Sequence, residues 1–248
     1  LGTRLSEETH LKPKPMVEIG GKPIIWHIMK SFSSHGFNEF IICCGYKAEV
    51  IKNYFLNYNY INSDFSINNE NGKILIKNKN HEKWKVTIVD TGLNTMTGGR
   101  LKKVYNHIKN DEFFFFTYGD GLSNINLINL INFHKKNKKL ATMSVVSSPS
   151  RYGIVELKGN AVKSFHEKPI NKGPKINGGF FVLSPKVLKL IKNENTVWEN
   201  NPINNLVKNK NISGYHHKGF WYSMDTLRDK NYLEELWNKR KAPWKVWK

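Results

Sequence analysis

Apolar residues return at helical spacing after Pro23, where Ile24, Ile25, Ile28 and Met29 share one face and the proline stands at the first helical position. Ahead of them, Leu1 to Gly21 is punctuated by Gly and Pro and predicts a loop. Glu39 to Gly45 is a short apolar run, the pattern of a buried strand, and Ala48 to Tyr58 resumes the helical period. Asn59 to Lys83 is polar and rich in Asn, with weak alternation at Lys73 to Ile76 that predicts a hairpin or a long loop. Trp84 to Asp90 predicts a strand ending at Asp90-Thr91-Gly92, and the pair Gly98-Gly99 opens a helix to about Lys109.

Further on, Glu112 to Thr117 is a strongly apolar strand that runs into Tyr118-Gly119-Asp120-Gly121. Ile125 to Lys136 is an amphipathic helix and Leu140 to Ser147 another strand. Tyr152 to Leu183 reads as several short strands, separated by turns at Lys158-Gly159-Asn160 and at Asn171 to Pro174. Helices are expected near Pro185 to Lys192 and Trp198 to Lys208, a strand near Asn211 to His217, and a last helix over Leu227 to Lys239. Strands alternating with helices imply a largely parallel sheet covered on both faces. Ligands of such sheets sit at the carboxyl ends of the strands. No repeat or linker divides the chain, so residues 1–248 are expected to form one domain.

Composition narrows the function. A hydrophobic content of 39% supports a packed core. No apolar run approaches the roughly 18 residues that a membrane-spanning helix needs. Cys43 and Cys44 are adjacent in an apolar run, where neighbouring strand side chains point to opposite faces. They are read as reduced, buried thiols of a cytoplasmic protein. The formal charge of +19 invites a nucleic-acid reading. The lysines are scattered, however, and travel with Asn and Ile, all three encoded by AT-rich codons. Composition drift plus a small anionic substrate accounts for the charge better than a basic groove does.

Candidate chemistry falls at strand ends. Gly2-Thr3-Arg4 with Lys12-Pro13-Lys14-Pro15 makes a loop of backbone N–H groups and cations able to wrap a triphosphate, and it reads equally well as a basic surface loop. Asp120 stands at a strand tip, where one carboxylate of a Mg2+ site could lie, with Asp225 its best distant partner. Singly, Asp120 also reads as an Asp-Gly turn residue and Asp225 as a helix cap before Leu227. Glu167-Lys168-Pro169 and Asn177-Gly178-Gly179 offer a carboxylate, an ammonium and an amide to a sugar phosphate, or are polar turns. His27, His134, His216 and His217 lack metal-ligand spacing and are read as structural. Neither a Gly-x-Ser-x-Gly elbow nor a Gly-x-Gly-x-x-Gly fingerprint is present.

Taken in order, these segments resemble the sugar-1-phosphate nucleotidyltransferases, also called sugar-nucleotide pyrophosphorylases, over essentially the whole chain. The resemblance runs through Gly2 to Thr9, Lys12 to Glu18, Asp90-Thr91-Gly92, Thr95-Met96-Thr97-Gly98-Gly99-Arg100-Leu101, Tyr118 to Gly121, Ile176 to Phe181 and Met224 to Asp229. The Thr95 to Arg100 segment and the tail Ala242-Pro243-Trp244-Lys245 are similar to the cytidylyltransferase branch. The resemblance implies a three-layer α/β/α, Rossmann-like (GT-A-like) nucleotidyltransferase fold with a mixed, mostly parallel central sheet. It implies CTP and glucose 1-phosphate as substrates, with UTP or dTTP as the alternative nucleotide, and Mg2+ as cofactor. Gly2, Thr3 and Arg4 would hold the CTP phosphates, and Lys14 would bridge the reacting oxygens, making Lys14 and Arg4 the catalytic cations. Thr95 and Arg100 would belong to the substrate wall and Gly119 would lie beside the nucleotide. Asp120 and Asp225 would be the metal pair, and Glu167, Lys168 and Asn177 would meet the sugar phosphate. A catalytically silent paralogue would have no reason to keep Lys14 with both aspartates. Partners are expected to be these small molecules, with no nucleic acid and no membrane, and with room for a homo-oligomer. Relatives carry an apolar strand and an Ala-Gly-Gly turn before Gly-Thr-Arg, so the first strand of the fold is expected to be missing from a chain that starts at Leu1.

Overall fold

The computed structural model describes residue 10 and residues 12–77, 81–148, 154–166 and 174–247. A 3-10 turn, Lys14–Met16, precedes the hairpin β1 (Glu18–Ile19) and β2 (Lys22–Pro23). Then come α1 (Ile24–Ser34), β3 (Glu39–Cys44), α2 (Ala48–Leu56), α3 (Tyr58–Ile61), β4 (Asp64–Asn68), β5 (Lys73–Lys77) and β6 (Lys85–Asp90). The middle of the chain forms α4 (Thr97–Lys103), α5 (Tyr105–Ile108), β7 (Phe114–Thr117), β8 (Gly121–Ser123), α6 (Leu127–Asn137) and β9 (Ala141–Ser147). It continues with β10 (Ile154–Lys158), β11 (Ala161–His166), β12 (Lys175–Leu183), a 3-10 stretch Pro185–Leu190 and α7 (Asn201–Lys208). β13 (Ile212–His216), β14 (Trp221–Ser223) and α8 (Leu227–Asn238) complete it.

The expected elements are present, with local corrections. The helix read from Gly98 to Lys109 breaks at Val104 into α4 and α5. Pro185 to Leu190 winds as 3-10 and not as α-helix. The helix read from Trp198 starts at Asn201, with Pro202 in its first turn, where a proline loses no hydrogen bond. The polar excursion after Asn59 contains the antiparallel hairpin β4–β5. The pairs β1–β2 and β8–β14 are too short to show in the sequence pattern.

β12 explains the layering. Its alternate residues Phe180 and Val182 pack with Ile24, Ile28 and Phe32 of α1. Phe181 and Leu183 face the other way, onto Leu101, Val104, Ile108 and Trp198. Such alternation is the period of a strand buried on both faces, so Phe180 to Leu183 is an unbroken apolar run. Each fully buried side chain of this kind contributes about 1.5–3 kcal/mol.

Strand order in the larger sheet is β13-β9-β12-β7. β12 is antiparallel to both β9 and β7, whereas β13 is parallel to β9. β3 and β6 form a separate parallel pair. Arg100 of α4 reaches Cys44 at the end of β3, and Thr97 of the same helix shares Glu199 with Tyr118, which follows β7. β3 and β7 therefore end on the same side, and β12 is the reversed strand of a mixed, otherwise parallel set.

Among the described residues β3 pairs only with β6, and β7 only with β12. Their other edges face a slot of about 800 Å³, walled by Ile28 and Phe32 of α1 on one side and by Leu101 and Val104 on the other. Pro15 and Gly119 line its carboxyl end.

Candidate active site

Lys14 sits in the 3-10 turn between Pro13 and Pro15, anchored by Met16 and Val17, which are buried. Gly119 makes the docking of this turn possible, since a Cβ there would stand 2.7 Å from Cγ of Pro15. With Pro15 against Gly119, Lys14 lies beside the next residue, Asp120. Its Nζ donates to Asp120 Oδ2 at 2.7 Å and to Asp225 Oδ1 at 2.7 Å. Burial alone lowers the pKa of Lys14, but the charges and hydrogen bonds of Asp120 and Asp225 outweigh it and hold the ammonium above its ordinary value.

Asp225 arrives from the far end of the chain. Ser223 pairs with Gly121 in the β14–β8 ladder, and the Met224 N–H donates to Asp120 O at 2.9 Å. Met224 is fully buried, which fixes the ladder to the core. The cap of α8 is Thr226 and not Asp225: Thr226 Oγ1 accepts from the Asp229 N–H, and Asp229 Oδ2 accepts from the N–H groups of Thr226 and Asp225. The Asp225 carboxylate is thus turned toward Lys14, with Oδ2 accepting from Ser223 Oγ at 2.7 Å. Two carboxylates converging on one cationic atom are a donor set suited to a divalent hard cation completed by phosphate and water oxygens.

Thr95 and Arg100 come together elsewhere, at the ends of β3 and β6. The Arg100 guanidinium donates to Cys44 O at 2.9 Å, to Thr91 Oγ1 and to Leu93 O at 3.3 Å. Thr95 is buried, donates to Thr91 O at 2.5 Å and accepts from Lys103 Nζ at 3.1 Å. Both residues bond the chain's own groups at the ends of β3 and β6, and shape that wall. Gly98 and Gly99 serve a packing purpose: a Cβ on Gly99 would lie 2.2 Å from Glu194 O, and one on Gly98 2.7 Å from Thr196 O. The segment 194–198 crosses α4 there, held by Met96 N–H to Glu194 O and Gly99 N–H to Thr196 O.

Asn177 stands on β12, its Nδ2 donating to Tyr118 Oη at 3.4 Å. Gly2, Thr3, Arg4, Glu167 and Lys168 lie outside the described residues. The four histidines read from the sequence as structural meet protein groups, His216 Nε2 accepting from the Lys175 ammonium at 2.6 Å. His27 is enclosed, His134 bonds Thr142, and His217 meets Ser123 and the Phe220 carbonyl. Three residues escape sequence reasoning. Ser223 is the last residue of β14, two positions before Asp225, and its contact with that carboxylate depends on the turn into α8. Glu199 carries no sequence signal, and Tyr118 shows only as the head of the strand-end motif, since their meeting depends on how 192–200 crosses α4.

The nucleotidyl transferase family model matches residues 1–226, and the chain belongs to that family. It is 53% identical over 247 residues to the glucose-1-phosphate cytidylyltransferase of Salmonella typhimurium, covering 100% of this chain and 96% of that protein. Among solved structures it is similar to HddC from Yersinia pseudotuberculosis, with a TM-score of 0.68 and 22% identity over 96% of this chain and 95% of that one. A UDP-glucose pyrophosphorylase complexed with UDP-glucose matches with a TM-score of 0.66 and 18% identity, over 95% and 94% of the two chains. At these identities the two structures speak for the fold alone.

Proposed function

We propose that the chain transfers a cytidylyl group from CTP to glucose 1-phosphate, giving CDP-glucose and pyrophosphate. The observation that carries this is the 53% identity, along the whole chain, to a glucose-1-phosphate cytidylyltransferase. The convergence of Lys14, Asp120 and Asp225 supplies the chemistry.

A phosphate oxygen of the sugar attacks the α-phosphorus of CTP in line, the bond to the bridging oxygen breaks, and pyrophosphate leaves. The attacking phosphate is ionised at neutral pH, so no strong general base is required. Two anions must approach, which makes positioning and charge screening the main tasks. Lys14, kept protonated by the aspartates, brings a fixed positive charge to the phosphates. Arg4 is assigned a second one by the family resemblance. Asp120 and Asp225 fit Mg2+, which when bound would screen the phosphates and stabilise charge on the leaving group. Ser223 holds one Asp225 oxygen and so limits the rotation of that carboxylate. Gly2 and Thr3 belong to the triphosphate cradle in the same reading, and Glu167, Lys168 and Asn177 to the sugar phosphate.

The reading places the work in the cytoplasm, where nucleoside triphosphates and reduced thiols such as Cys43 and Cys44 are found. Self-association is its remaining part, measured by light scattering. The main test is incubation of CTP and glucose 1-phosphate with Mg2+, scored for CDP-glucose and pyrophosphate, with UTP and dTTP as competitors. Cytosine offers an N4 donor where the other two bases offer an O4 acceptor, so preference among them reads the base pocket directly. Product from UTP or dTTP but not CTP would overturn the cytidylyl assignment.

A further inference from the structure

Glu199 lies in the segment that crosses α4, directly after the fully buried Trp198. Its two carboxylate oxygens accept from opposite sides. Tyr118 Oη donates to Oε1, and Thr97 Oγ1 donates to Oε2 at 2.7 Å. Thr97 Oγ1 accepts in turn from the Trp198 N–H at 2.9 Å. On the other side Asn177 Nδ2 donates to Tyr118 Oη at 3.4 Å, while Asn177 Oδ1 accepts from the Gly179 N–H at 2.8 Å. The Gly179 bond decides which end of the amide faces Tyr118, and the carboxylate decides where the Tyr118 proton goes. Every proton in this run therefore points toward Glu199. Burial first, and then Glu199, push the Tyr118 phenol well above its ordinary range, so it remains a neutral donor.

An amide, a phenol and a carboxylate without a cation among them suit a polyhydroxylated ligand. Phosphates call instead for a cation, which among the described residues of the site Lys14 supplies. Tyr118 joins the two regions, being two residues before Asp120 on the strand tip and bonded to Asn177 on β12. We propose that Glu199 is a positioning residue for the hexose side of the site, acting through Tyr118 to fix the Asn177 amide and so the affinity for the sugar 1-phosphate. This rests on the reaction proposed above.

Glu199→Gln is nearly isosteric but keeps a single acceptor oxygen, so its amide N–H group meets one of Tyr118 and Thr97, both of which donate to the carboxylate. Tyr118→Phe removes the relay and keeps the ring. The experiment measures KM for glucose 1-phosphate, KM for CTP, kcat and melting temperature for both variants and their combination, with calorimetric titration of glucose 1-phosphate alone. Each single change is expected to weaken the sugar phosphate about tenfold, the equivalent of one lost hydrogen bond to a charged group, with KM for CTP unchanged. The double variant should be no weaker than the weaker single, since both cut the same chain of bonds. A lowered melting temperature with both KM values unchanged would make Glu199 a staple of the 192–200 segment only, and overturn the proposal. Equal losses for CTP and glucose 1-phosphate would overturn it as well. A wild-type protein that neither binds nor turns over glucose 1-phosphate defeats the proposed reaction and this inference together. Failure confined to the variants defeats only the latter.

Discussion

Lys14 Nζ and Asp225 Oδ1 lie 2.7 Å apart although 211 positions separate the two residues. The contact closes one end of the chain onto the other across Asp120, and the β8–β14 ladder holds it in register. A 3-10 turn, a strand tip and a residue just before a helix cap thus supply one cluster of charge.

Lys14→Ala removes the cation from this cluster and leaves two carboxylates facing each other. Loss of one preorganised charge of this kind costs about 10²–10³ in kcat. Steady-state kinetics with CTP and glucose 1-phosphate measure it, and unchanged turnover would take Lys14 out of the site.

Asp225→Ala should abolish Mg2+-dependent turnover with little change in melting temperature, because Thr226 and Asp229 keep the helix cap intact. The converse substitution, Thr226→Ala, should cost about 0.5–2 kcal/mol of stability. Thermal melts of the two variants side by side separate the metal role from the capping role.

Gly99→Ala drives a methyl group into the Glu194 carbonyl, backbone that cannot swing aside. The expected loss is roughly 1–3 kcal/mol, read as a lower urea midpoint. Gly21→Ala, where a Cβ would meet no atom but the φ is +71°, gives a comparison in which only backbone strain acts.

His27 is fully buried and held neutral, with Nε2 donating to Ile19 O at 2.8 Å and Nδ1 accepting from Trp244 Nε1–H at 3.3 Å. Burial pushes its pKa down to about 4. The unfolded chain therefore takes up this proton first, at the ordinary histidine value. The stability due to neutral His27 is present in full above pH 6.5 and is lost as pH falls toward 4, by roughly 3 kcal/mol in all. Denaturant melts across that window should show the slope, and His27→Gln should flatten it.

Much of the fold was legible from pattern. The largely apolar segments at Glu39 to Gly45, Glu112 to Thr117 and Leu140 to Ser147 became β3, β7 and β9, since strands covered on both faces favour apolar over alternating sequence. The break at Val104 was invisible, since α4 and α5 together keep one helical face toward the core. Asp120 and Asp225 were candidates only as a pair, since each alone reads as turn or cap.

By itself, the sequence determined which residue types are available to an anionic substrate and where strands end, because periodicity and motif are local properties of the chain. Only the tertiary structure decided that Lys14 stands between two aspartates, that Arg100 and Thr95 turn inward, and that Glu199 orders Tyr118 and Asn177. The physical reason is that each of these depends on a close approach between distant segments. Pro15 on Gly119 and residues 194–196 on Gly98-Gly99 are permitted by a missing Cβ, and such permission has a direction in space that no spacing along the chain records.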